Sequence, residues 1–181
     1  NSFISAYNDT VKLITNLKPP LNAFISGNDS ICSNSDSKAE VKVSFSGGVE
    51  PYTFVYAING VNQPSITTTV NPHIINATEA GNYTLTSFYD ASDIGFVSGS
   101  AIVTINISPT AIFSTLTDTL NLMYPRAELN DLSNGDIISW QWNFGDNTPD
   151  QVVQNPTHIY KDSIGIYQIS LIVTDNVGCS D

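Results

Sequence analysis

The chain has 181 residues, of which 41% are hydrophobic and only 13% charged, and six Lys plus Arg against seventeen Asp plus Glu give a formal net charge of −11. That balance repels a phosphate backbone and an anionic lipid surface, which argues against nucleic-acid binding. No run approaches the roughly 18 apolar residues of a membrane span, so no direct membrane insertion is expected.

The predicted elements are strands. "DTVKLITNLKPPLNAFIS" (Asp9–Ser26) reads as a strand, a proline break and the start of a new unit. "EVKVSFSG" (Glu40–Gly47) alternates, with Val41, Val43 and Phe45 on one face. "YTFVYAI" (Tyr52–Ile58), "NYTLTSFY" (Asn82–Tyr89) and "SAIVTINI" (Ser100–Ile107) follow, rich in aromatic and β-branched residues. After Pro109 come "AIFSTL", "TLNLMY", "DIISWQWNF" and "IYQISLIVTD". Turns separate them at Gly47-Gly48, Asn59-Gly60, Ala80-Gly81-Asn82, Asn134-Gly135 and Gly145-Asp146-Asn147. Many short strands at this spacing, with no convincing amphipathic helix, predict an all-β protein of tandem β-sandwich domains. Low charge with abundant Ser, Thr and Asn suits an extracellular protein of that class.

Internal repetition sets the boundaries. Asp9–Ser26 resembles "GSAIVTINISPTAIFST" (Gly99–Thr115), and "GNYTLTSFYDASDIG" (Gly81–Gly95) resembles "GIYQISLIVTDNVG" (Gly165–Gly178). Residues 1–18 therefore read as the closing strand of a preceding unit, 19–108 as one domain and 109–181 as a second that lacks its last strand. The chain reads as part of a longer protein. Short proline breaks predict semi-rigid beads on a string. Cys32 and Cys179 form no CxxC pair, so a thiolate metal site is not expected. They fall in different predicted domains, and a bridge between them is the less favoured reading.

The last domain holds Trp142, Asn143, Phe144, Gly145, Asp146 and Asn147, then Asn155, Pro156, Thr157, His158 and Tyr160, then Gly165, Tyr167 and Asp175. This set resembles the PKD (polycystic kidney disease) domain, an immunoglobulin-like β-sandwich, with Asn143 and Asn147 standing where the family usually has Asp and Gly. The middle domain carries "FISGNDSICSN", "GGVEPYTF" with Pro51 and Tyr52, and "AGNYT" with Gly81 and Tyr83. It resembles the immunoglobulin-like repeats of very large surface adhesins from gliding bacteria that use type IX secretion. Those repeats often carry a second Cys after the late Asp turn, where this chain has "DASDIGFVSG", so Cys32 lacks its expected partner.

Both resemblances imply tandem immunoglobulin-like sandwiches acting as non-catalytic stalk or adhesion modules on the outside of the cell. They would stand near the C-terminal secretion domain of a type IX-exported adhesin. The implied partners are neighbouring domains of the same chain, the secretion machinery reached through that C-terminal domain, and surface glycans or proteins. Two alternatives remain open: an accessory module of a secreted multidomain hydrolase, and a carbohydrate-binding module.

Candidate chemistry is sparse. No GxSxG motif appears, His73 follows Pro72 in a predicted loop, and His158 belongs to "NPTHIY". No catalytic residue and no cofactor is expected. "NDLSNGDII" (Asn130–Ile138) offers Asp131, Asn134 and Asp136 as calcium oxygens, but a strong site needs six to eight oxygens, and a solvated Asx turn is the favoured reading. Asp-Ser/Thr-aliphatic triplets at Thr10, Ser30, Thr119 and Ser163 resemble the O-glycosylation signal of type IX-secreting bacteria. Asn-x-Ser/Thr at Asn76 and Asn82 is discounted, because the implied host does not generally use it. Alternation puts Trp140, Trp142 and Phe144 on one face, which is more often an inner sheet face than a sugar platform. Trp140 stays open as a partly exposed aromatic.

Overall fold

The computed structural model describes residues 18–116, 119–121, 123–161 and 164–181. Its first nine strands are β1 (Asn22–Ser26), β2 (Asp29–Cys32), β3 (Ala39–Ser46), β4 (Tyr52–Ile58), β5 (Val61–Asn62), β6 (Ile66–Thr68), β7 (His73–Ala77), β8 (Gly81–Tyr89) and β9 (Phe96–Gly99). Six follow: β10 (Ala101–Asn106), β11 (Phe113–Thr115), β12 (Arg126–Asp131), β13 (Ile137–Asn143), β14 (Thr157–Ile159) and β15 (Ser170–Asp175). No helix forms among the described residues. The closing strand expected within residues 1–18 falls almost wholly outside them.

The chain divides into two compact units. One contains residues 18–27 with Val41–Ile75 and Asn82–Ala101; the other contains Asn28–Glu40, Asn76–Gly81 and Ile102–Asp181. In the first unit β1 lies between β3 and β9, and β4 pairs with β5, β6 and β8; in the second, β2 pairs with β10. The pairing mixes directions: β1 is antiparallel to β3 and parallel to β9, and β2 is parallel to β10.

In the first unit the alternation of β3 has a direct physical result. Val41, Val43 and Phe45 are buried while Lys42 and Ser46 face water. Phe45 stacks on Tyr52 and Phe88 at centroid distances of 4.8 and 5.2 Å and meets Phe54 at 5.6 Å, so β3 packs across onto β4 and β8. Each such ring removes about 150–250 Å² of mostly apolar surface from water. Asn59-Gly60, both at positive φ, close the two-residue turn between β4 and β5. His73 opens β7 instead of lying in a loop; its Nδ1 lies 3.2 Å from Thr68 Oγ1 and its ring edge meets Phe54.

In the second unit β12 lies between β11 and β14, and β13 pairs with β15. Leu129, Trp142, Phe144, Leu171 and Val173 form its core, with Phe113, Trp140 and Tyr160 packed against it. The described residues of "TLNLMY" form no strand: Asn121 and Tyr124 make an isolated bridge, and the Asn121 side chain accepts from the Met123 and Tyr124 amides, closing a local turn. The second half of "IYQISLIVTD" is β15; its first half is not strand.

The expectation for the cysteines is corrected here. Cys32 and Cys179 are bonded to each other with Cα atoms 5.6 Å apart. The reading of separate domains had set them apart, yet the end of β2 and the C-terminal turn belong to the same compact unit. No strand follows β15 among the described residues, and its edge carries a short backbone pairing. Asp181 and Val173 exchange two backbone hydrogen bonds of 2.9 and 3.1 Å, and Ser180 bridges Thr174.

Candidate functional site

The stretch "WQWNFGD" ends β13 and turns toward β14. Trp142 is fully buried; its backbone exchanges two hydrogen bonds with Gln151, and its indole N–H donates to the Val153 carbonyl at 3.0 Å. The ring meets Phe113 edge-on at 5.2 Å. On the opposite face of β13, Gln141 and Asn143 amides both donate to Asp150, at 2.7 and 2.8 Å. Those two bonds hold the Asp150 carboxyl below its ordinary range. Asn143 also accepts from the Gly145 amide, so the residue that departs from the PKD pattern still closes the local turn.

Gly145 sits at φ +73°, and a Cβ there would meet Gln168 oxygen at 2.6 Å. Only glycine satisfies both the left-handed backbone and the close approach of the Gln168 backbone. Asn147 adopts φ +64°, a region Asn tolerates better than most residues, which accounts for Asn where the family has Gly.

Asp146 then meets His158 across the turn: Nε2 and Oδ2 are 2.7 Å apart, with both side chains about nine-tenths buried. Asp146 Oδ1 accepts from the Thr148 hydroxyl at 2.6 Å and from its amide at 3.1 Å. Burial disfavours the carboxylate, but the bonds from Thr148 and His158 outweigh it and hold the carboxyl down to about 2. Asp146 is therefore ionised near neutrality, so His158 Nε2 must be the donor.

The imidazole lies flat on Phe144 (centroids 4.0 Å, 8° between planes) and edge-on to Tyr160 at 4.6 Å. Tyr160 donates to the Phe144 carbonyl at 3.0 Å and stacks on Tyr167 at 4.4 Å. Burial, reinforced by the Asp146 charge, pushes the Tyr160 hydroxyl up. A cleft of about 550 Å³ opens beside this cluster, walled by the Gly145–Thr148 turn, Gln151, Lys161 and Tyr167.

In a hydrolytic triad the carboxylate orients a histidine toward a nucleophile. Here the hydroxyl beside the pair, that of Thr148, donates to the far oxygen of the carboxylate, and the ring is held by stacking on Phe144 and an edge contact with Tyr160. The arrangement locks the β13 turn onto β14.

The other singled-out residues lie elsewhere. Pro156 is buried and its carbonyl accepts from Leu129. Gly165 lies against the Tyr167 ring. Asp175 Oδ1 accepts from the Val177 and Cys179 amides at 3.0 and 2.8 Å and so fixes the turn that presents Cys179. In the first unit Tyr83 is buried, Tyr52 donates to the Gly47 carbonyl and Pro51 follows a cis bond; Gly81 begins β8.

Among the calcium candidates, Asp131 is fully engaged. Its Oδ2 accepts from Trp140 Nε1 at 2.7 Å and Gln154 Nε2 at 3.1 Å, and its Oδ1 from the Ser133 amide at 3.0 Å. Burial opposes its ionisation, yet these donors keep the carboxyl below its ordinary value. Asn134 pairs through its backbone with Thr110, and Asp136 leads into β13. No group of three or more His, Cys, Asp or Glu side chains converges on a cation position among the described residues. Ser30 and Thr119 are exposed, on edge strand β2 and in a connecting segment; Thr10 and Ser163 lie outside the described residues. Sequence reasoning missed the Asp150 clamp and the Trp140–Asp131 bond. An Asx signal at Asp131-x-Ser133 was available for the second.

Residues 109–181 match the PKD domain family.

The whole signature cluster, from Trp142 to Asp175, lies inside that PKD region. Among solved structures, the fibronectin(III)-like modules of Clostridium thermocellum CbhA are similar at 12% identity, covering 87% of this chain and 88% of that chain with a TM-score of 0.38. No curated protein matches the chain.

Proposed function

We propose that this chain is a pair of non-catalytic β-sandwich modules in the stalk of a secreted cell-surface protein. The observation that carries the reading is the Cys32–Cys179 disulfide, since such bonds persist mainly in oxidising compartments outside the cytosol. The PKD match over residues 109–181 supports it, as does the use of Asp146, His158 and Asp175 to hold turns in place. In the finer form of the proposal the protein is an adhesin exported by type IX secretion. Its neighbours are further domains of the same chain and the secretion machinery, and Ser30 and Thr119 offer exposed hydroxyls for glycans. Trp140 is a poor sugar platform, because its indole N–H is spent on Asp131 and its ring packs partly on the core.

The test is surface labelling of the native cell with a membrane-impermeant amine reagent, beside a strain whose type IX export is disabled. Labelling lost in the export-deficient strain supports the proposal. Unchanged labelling would reject the type IX route, and a purely cytoplasmic protein would reject the reading as a whole.

A further inference from the structure

The disulfide joins residues 147 positions apart. Strands β3 to β15 all lie between its two ends in the chain, and only β1 and β2 precede Cys32. Tension applied along a polypeptide follows the shortest covalent route, so a segment closed into a loop carries none of it. We propose that the Cys32–Cys179 bond is a force bypass, leading tension from β2 directly to the C-terminal turn and leaving the loop between them unloaded. The proposal follows from connectivity and goes beyond the stalk reading.

Both anchors are built to receive load. Cys32 ends β2, which pairs over Asp29–Cys32 with Val103–Asn106 of β10, and the next residue continues the ladder through Ser33 N–H to Asn106 at 2.8 Å. Ser108 amide donates to Ser33 Oγ at 3.0 Å, and Ser108 hydroxyl to Asn34 Oδ1 at 2.6 Å. Cys179 is almost fully buried and is held from both sides of its peptide by Asp175. Beyond it, Asp181 accepts from the Ala111 amide at 2.7 Å, and the Ser180 carbonyl accepts from Asn34 Nδ2 at 2.8 Å. This last bond ties the two anchor segments beside the disulfide. All of these residues belong to one compact unit.

Hydrogen-bonded ladders and the Trp142 core resist pulling only through many weak contacts, whereas the bypass is a covalent bond. With the bond closed, the covalent load path skips the loop, and of the PKD region only the contacts of Ser180 and Asp181, beyond Cys179, take load. With it open, the whole chain lies in the load path.

The experiment pulls single molecules of the 181-residue chain between handles at its two ends, first without and then with reductant, beside a Cys32→Ser variant. At about 3.4 Å per extended residue, the loop holds on the order of 500 Å of hidden length. Without reductant, the total length released is expected to stay confined to the segments outside the loop. With reductant, or in Cys32→Ser, an additional release on the order of 500 Å is expected. Release of that length by the unreduced chain would overturn the proposal, as would identical traces with and without reductant. The reductant arm uses the wild-type chain already folded, so it decides the matter even where Cys32→Ser does not fold.

Discussion

Asp146 and His158 meet across the β13–β14 turn at 2.7 Å, and that pair organises the PKD signature. One oxygen of the carboxylate takes the imidazole, the other takes Thr148, and the imidazole stacks on Phe144 and meets Tyr160 edge-on. A motif that reads as chemistry is thereby used to close a turn.

The pair predicts a pH dependence. The folded Asp146 carboxyl titrates at about 2, below its ordinary 3.8. A depressed carboxyl stabilises the fold fully above the unfolded value and loses that contribution as pH falls through the folded value. Stability is therefore expected to fall between about pH 4 and pH 2. Urea midpoints at pH 5 and pH 2.5 check this: the drop should be smaller in Asp146→Asn than in the wild type.

Gly145 and Gly178 both hold positive φ in the same unit, but only Gly145 faces a neighbour that a Cβ would strike. Gly178→Ala is expected to cost about 1–2 kcal/mol, the left-handed penalty alone. Gly145→Ala should cost clearly more, because Gln168 belongs to the backbone it packs against and cannot move aside. Equilibrium denaturation of the two variants measures the difference directly.

The tryptophans separate by depth. Trp142→Ala is expected to cost about 3–5 kcal/mol, the range for emptying a large buried aromatic site. Trp140→Phe keeps most of the packing and removes one donor to Asp131, so about 1–2 kcal/mol is expected. Similar losses at both positions in a denaturation series would contradict this ordering.

Alternation and turn chemistry made much of the fold legible. Val41, Val43 and Phe45 declared the inner face of β3, and Tyr52–Ile58 matches β4 residue for residue. Asn59-Gly60 marked a hairpin that exists. β12 escaped because "RAELND" carries three charges in six residues and only Ala127 and Leu129 face inward. "TLNLMY" misled for the opposite reason: it is apolar and periodic, but Asn121 bonds its own backbone and wins locally. In the PKD region the sequence singled out Asp146, His158 and Trp142, while Thr148, Gln154 and Asp150 lie on loops whose placement no periodicity encodes. The disulfide was the less favoured reading because strand spacing located each cysteine in a different repeat. Which chain segments the fold brings beside one another is a tertiary fact.

Opening that bond in the folded protein is expected to cost about 2–4 kcal/mol, since it closes a long loop in the unfolded chain. Urea unfolding with and without reductant, followed by tryptophan fluorescence, reads this. Trp140 and Trp142 both lie in the unit that holds the bond.

The connectivity itself has the most direct test. Met123 is the single methionine of the chain and lies between the two cysteines. Cyanogen bromide cleaves after it, giving one fragment with Cys32 and one with Cys179. The Cys32–Cys179 bond predicts that the cleaved chain stays one species on a denaturing, non-reducing gel and separates into two only when reductant is added. Two separate fragments without reductant would contradict it.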